Sequence, residues 1–119
     1  MAPEPTVPVK RPRFVRHESA LGRPFHVADR LWRIPPRQAL ATVTNPGAGS
    51  GAARSSLSFD LRDRQQRGQC YEILLVDGTP DEIATWVDGL FLAELWDALV
   101  LPRTIRLQWQ PVIDAAWAE

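Results

Sequence analysis

Gly78-Thr-Pro-Asp-Glu-Ile-Ala-Thr-Trp-Val-Asp-Gly-Leu-Phe-Leu-Ala-Glu-Leu-Trp-Asp-Ala-Leu-Val-Leu-Pro-Arg103 is the stretch whose reading decides the fold. It opens with a capping box: Thr79 stands as N-cap, Pro80 takes the first helical position, and Glu82 lies three residues after the cap. The helix that follows sets Ile83, Trp86, Val87 and Leu90 on one face. Asp88-Gly89 is expected to end it, with glycine supplying a left-handed cap. A second, turn-rich helix then places Leu92, Leu95, Trp96 and Leu99 in a buried stripe, and Pro102 breaks it. Two short helices with large apolar side chains and few reactive groups describe a packing or docking unit.

Working outward, Cys70-Tyr71-Glu72-Ile73-Leu74-Leu75-Val76 fits a strand or a helix, and periodicity alone does not arbitrate. The spacing of Tyr71, Leu74 and Leu75, with helical neighbours downstream, favours helix. Leu57, Phe59 and Leu61 alternate as in a strand. Residues 45–56 form a glycine-rich connector. Its Gly47-Ala48-Gly49-Ser50-Gly51 lacks the Gly-Lys-Ser/Thr ending of a phosphate loop, and no strand is read before it. Phe25-His26-Val27 and Leu31-Trp32-Arg33-Ile34 read as the arms of a hairpin, turned at Ala28-Asp29-Arg30 and stopped by Pro35-Pro36. Such a hairpin is marginal alone and must lie against helices. Pro36 then opens a helix over Arg37–Val43, while Arg103–Trp109 and Val112–Trp117 add one helix or two around Pro111. Residues 1–22, with Pro3, Pro5, Pro8 and Pro12 among charges, read as a disordered basic tail. The expected fold class is therefore mainly α: a small N-terminal β-hairpin followed by a short-helix bundle, in a single domain over residues 23–119.

Fourteen basic and 14 acidic residues in 119 leave no net charge, which disfavours a general nucleic-acid binder. A basic run, Lys10-Arg11-Pro12-Arg13-Phe14-Val15-Arg16, is the local exception. Cys70 is the sole cysteine, so no intramolecular disulfide forms and a reducing compartment suits the chain. No hydrophobic signal core opens the sequence, and no apolar run approaches a bilayer span. A soluble, cytoplasmic protein without membrane association is the expectation. Its ordered part, about 85 residues, gives a thin core that a partner or self-association would support.

Catalysis finds little footing. His17 and His26 fall in the tail and the hairpin, away from Cys70 in its apolar run, whereas a nucleophile needs a base within hydrogen-bond reach. One cysteine and two histidines offer no recognisable zinc spacing, so neither metal nor cofactor is expected. Asp81 and Glu82 belong to a helix start, Asp88 to a helix boundary, and Glu94 and Asp97 to a solvent face. An enzyme is not expected. The five tryptophans stand out in so short a chain, since tryptophan is enriched at interface hot spots. Trp86 and Trp96 are expected to fill the core, and Trp109 or Trp117 to face a partner. The protein-binding set is Trp86, Leu92, Leu95, Trp96, Leu99, Trp109 and Trp117.

From Phe25 onward the chain resembles the small tail assembly chaperones of long-tailed phages that infect actinobacteria. The likeness rests on an Ile-Pro-Pro-like step at Trp32-Arg33-Ile34-Pro35-Pro36, and on a turn at Leu74-Leu75-Val76-Asp77-Gly78-Thr79-Pro80-Asp81-Glu82. Leu95-Trp96 and the Leu101-Pro102 end complete it. The resemblance implies a non-catalytic protein that coats a long helical client, the tape measure protein, during tail building and is absent from the finished virion. It would be the short form of a pair made by frameshifting, with no fixed active residues to carry over. The alternatives are a structural component of a phage tail or head–tail junction, and a small regulator using Lys10–Arg16 on nucleic acid.

Overall fold

The computed structural model describes residues 5, 7–19, 21–47 and 57–118. In chain order the elements are β1 (Phe14–Glu18), β2 (Pro24–Ala28), α1 (Pro36–Ala39), β3 (Thr42–Thr44), β4 (Ser58–Asp60), α2 (Arg64–Asp77), α3 (Pro80–Trp86), α4 (Gly89–Leu95), a 3-10 turn (Trp96–Ala98) and α5 (Arg103–Trp117). Helices dominate, as expected, but two separate antiparallel ribbons, β1–β2 and β3–β4, make the fold mixed α/β.

The N-terminal ribbon is not the hairpin expected from sequence. β2 pairs with β1, with Phe14 opposite Ala28, Arg16 opposite His26 and Glu18 opposite Pro24. Leu31–Ile34 forms no strand. Leu31 and Trp32 are consecutive and both buried, whereas a half-buried strand must alternate. Asp29 also favours the upstream partner: its carboxylate accepts the Arg13 N–H at 2.9 Å, and its own N–H donates to the Arg13 carbonyl at 2.8 Å. The turn is made at Ser19–Arg23, where the Ser19 N–H reaches the Arg23 carbonyl at 2.9 Å. Gly22 there sits at φ +77°, a conformation glycine adopts without strain. The disordered tail read over residues 1–22 thus contributes a strand; residues 1–4, 6 and 20 lie outside the described ones.

α1 is shorter than the helix read over Arg37–Val43. It stops at Ala39 because Thr42-Val43-Thr44, β-branched throughout, prefers the pleat and pairs with Ser58–Asp60. The alternation of Leu57, Phe59 and Leu61 does mark this partner strand, with Phe59 and Leu61 buried and Leu57 exposed. Of the connector read at 45–56, residues 48–56 lie outside the described ones.

Cys70–Val76 is helical, within α2, and Tyr71, Leu74 and Leu75 all face the interior. Asp63 caps the helix by accepting the N–H groups of Gln65 and Gln66. The capping box of α3 is present in both directions. Thr79 Oγ1 accepts the Glu82 N–H at 3.2 Å, and Glu82 Oε1 accepts the Thr79 N–H at 3.1 Å.

The end of α3 differs from expectation. Val87 closes it in extended backbone, and Asp88 opens α4 by accepting the Phe91 N–H at 3.2 Å, the role for which aspartate is preferred. Gly89 is required for close approach instead of a left-handed turn: its N–H donates to the Trp32 carbonyl at 2.6 Å, and a Cβ there would stand 2.6 Å from the Trp32 amide nitrogen. α5 runs unbroken through Pro111. Pro111 lies on the exposed side with Leu107, where water can serve the carbonyl that loses its amide donor.

β2 packs against both α2 and α5. Around it the core gathers Phe25, Trp32, Tyr71, Leu92, Trp109 and Ile113.

Candidate functional site

Leu92, Leu95, Trp96, Leu99 and Trp109 are buried, so the docking surface read from them is an interior in the folded chain. Trp96, in the 3-10 turn that continues α4, is held against α5. Trp96 Nε1 donates to Gln110 Oε1 at 2.9 Å, and the Arg106 guanidinium lies 4.7 Å above the Trp96 ring. Trp86 is half-buried against the core. Trp117, at the end of α5, is the member of the set that keeps an exposed ring. Amphipathic spacing reports that a face is apolar, without saying whether it meets the same chain or another.

Among the described residues, a different surface is left uncovered. Where the β1–β2 turn, the end of α2 and the start of α5 converge, a groove of about 270 Å³ is lined mainly by Leu21, Pro24, Phe25, Val76, Pro102 and Ile105. Arg23 is the charged residue on its wall, and its guanidinium is engaged by the buried carboxylate of Asp77. Leu21 stands at the rim, 89% exposed, held there by the Gly22 turn. Thr104, also on the wall, is exposed on the first turn of α5. In sequence, Leu21 is a lone hydrophobe without periodic neighbours, which is why pattern reading passed over it.

A second, wider cleft of about 500 Å³ runs between α2 and the 3-10 turn and is more polar, with Arg64, Gln65, Gln69 and Glu72 on its wall. Glu72 is committed there to the backbone, accepting the Val100 N–H at 2.6 Å.

Several titratable groups already have structural partners. Burial, with the charge of Glu82 adding to it, pushes the Cys70 thiol up to about 12, so it stays protonated at neutral pH and is a poor nucleophile. His17 stacks on Phe25 at 5.3 Å between centroids. Burial and then the nearby Arg16 charge lower the pKa of His26. The hydrogen bond from Arg62 holds the Asp60 carboxyl below its ordinary value. Among the described residues no group of three His, Cys, Asp or Glu side chains is placed to hold a metal. Nor is any helix of those residues long and apolar enough to cross a membrane.

Compared with known proteins, the chain matches no family model, no curated protein and no solved structure.

Proposed function

We propose that this protein is a non-catalytic binding module whose apolar groove beside Leu21 receives one face of a helical segment in a client protein, as an assembly factor does. The observation that carries the reading is the composition of that groove. Its one charged wall residue is already neutralised by Asp77, and a large aliphatic side chain stands almost wholly in solvent at its edge. An amphipathic helix docks by placing apolar side chains at i, i+3 and i+4 into such a surface. The phage resemblance supplies the class of client, a long helical tape measure protein whose apolar stripe needs cover until it is assembled.

Co-expression with a long coiled-coil client encoded beside the gene tests this. The wild-type chain is expected to keep the client soluble and to co-elute with it. Leu21→Asp and Thr104→Asp, both at exposed positions, are expected to melt as the wild type does yet to lose the client. Equal co-elution by both variants would remove the groove from the reading, and a client equally soluble without the protein would remove the function.

A further inference from the structure

We propose that two copies of this chain pair through the outer edge of β1, antiparallel about a two-fold axis at His17, so that Arg16 of each copy lies opposite Glu18 of the other. Among the described residues, the backbone of the ribbon leaves that edge open. Asp29 bonds Arg13, and Ser19 bonds Arg23, at the two ends of the ladder. With the register that sets Val15 opposite Val27 and His17 opposite Phe25, these alternate residues exchange their hydrogen bonds with β2. The N–H and C=O groups of Phe14, Arg16 and Glu18 therefore point the other way. Among the described residues, no backbone group bonds them there.

Two-stranded ribbons are marginal in isolation, and a free edge is a template for another strand. Joining the edges of two copies makes one four-stranded sheet. Charges on an edge usually protect it, but opposite charges placed directly across two strands attract and offset that protection. Here the signs alternate. Arg16 and Glu18 are both well exposed and already approach to 3.4 Å within the chain.

Three registers match outward-pointing groups to one another near the middle of the strand. An axis at Arg16 sets arginine opposite arginine, which is destabilising. An axis at Val15 leaves Glu18 opposite Pro12, which has no N–H to give. The axis at His17 sets two opposite-charge pairs directly across, and with the contacts inside each chain they form a ring of four alternating charges. It also places the two His17 residues in a non-hydrogen-bonded pair, with Cα atoms about 4.5 Å apart, within disulfide reach.

Light scattering on the full chain over a concentration series reads the association, and wild type is expected to rise to twice the chain mass. Arg16→Glu and Glu18→Arg are each expected to stay monomeric with unchanged circular dichroism, and their equimolar mixture to form a heterodimer. His17→Cys is expected to yield a disulfide-linked dimer under native oxidising conditions, faster than Val15→Cys, because the native Cys70 is buried and does not compete. A wild-type chain that stays monomeric throughout overturns the proposal. So does a dimer that both charge reversals leave intact, or one that links no faster at position 17 than at 15. Thr104→Asp, on α5 and off the β1 edge, is expected to leave self-association unchanged, which keeps this test separate from client binding.

Discussion

Arg33 and Asp88, 55 residues apart, meet at the edge of the core: Arg33 Nε donates to Asp88 Oδ1 at 2.9 Å, and the aspartate side chain is wholly buried while the arginine side chain is 37% exposed. The same Oδ1 accepts the Ile34 N–H at 3.1 Å, Oδ2 accepts the Phe91 N–H at 3.2 Å, and the Asp88 N–H donates to the Tyr71 hydroxyl at 3.0 Å. One residue thus fastens the irregular 31–34 segment, the start of α4 and the middle of α2. Asp88→Ala leaves two part-buried amides without their acceptor and releases a guanidinium that water can reach, and is expected to cost about 2–3 kcal/mol. Asp88→Asn keeps an acceptor and is expected to cost less. Urea denaturation measures both, and a loss below about 1 kcal/mol for Asp88→Ala would mean that water replaces the carboxylate.

Two glycines are expected to respond in opposite directions. A Cβ at Gly89 runs into Trp32 backbone, which cannot move aside as a side chain does, so Gly89→Ala is expected to lose about 3 kcal/mol. A Cβ at Gly68, inside α2, meets Leu99 Cδ2 at an ordinary 3.6 Å. Gly68→Ala removes backbone freedom from the unfolded chain and is expected to gain about 0.5–1 kcal/mol. Paired thermal melts decide the signs.

Alkaline pH is expected to unfold the protein through Cys70 and Tyr71. Burial is the leading cause of both shifts, raising the thiol from 9.0 to about 12 and the phenol well above its ordinary 10.0. Above pH 9 the unfolded chain sheds a thiol proton that the folded chain keeps. Stability from this group is therefore full below pH 9 and lost as pH rises toward 12, with a slope of about 1.4 kcal/mol per pH unit at most. Cys70→Ala is expected to flatten that limb in denaturation curves taken over the same range. Native protein is also expected to resist thiol reagents at pH 8 until denaturant is added.

His26 is expected to titrate below 6.5, driven down by burial and then by Arg16, against a smaller upward pull from the Gly78 backbone. The unfolded chain then takes up this proton first, so stability falls as pH drops through 6.5. Arg16→Glu exchanges a repelling charge for an attracting one and is expected to move the imidazole resonance midpoint upward by NMR. No movement would place Arg16 too far from the ring to act.

The sequence discloses helices better than it discloses partners. Thr79-Pro80-Asp81-Glu82 is legible because a capping box is a local transaction, settled within four residues. Tyr71, Leu74 and Leu75 are legible because the interior repeats with the helical period. The ribbon is not, since the choice between Phe14–Glu18 and Leu31–Ile34 as partner to β2 turns on Asp29 bonding Arg13 and on Trp32 passing beneath Gly89. Both are tertiary contacts. Asp88-Gly89 misled for the same reason: the pair reads equally well as the end of one helix or the start of the next, and only the approach of Trp32 explains the glycine. The groove was hidden in another way, because Leu21 belongs to no periodic pattern.

Asn45 and Leu57 clasp each other from both sides, the Asn45 N–H reaching the Leu57 carbonyl at 2.7 Å and the Leu57 N–H reaching Asn45 Oδ1 at 3.0 Å. That clasp, with Glu82 Oε2 taking the Gly47 N–H at 3.0 Å, ties the open end of the β3–β4 ladder. A fluorophore, an affinity handle or a whole reporter domain spliced between the two strands meets a ladder already tied at that end, so its cost to β3 and β4 themselves is the slowly growing entropy of a longer connection. It would let both ribbons be watched at work.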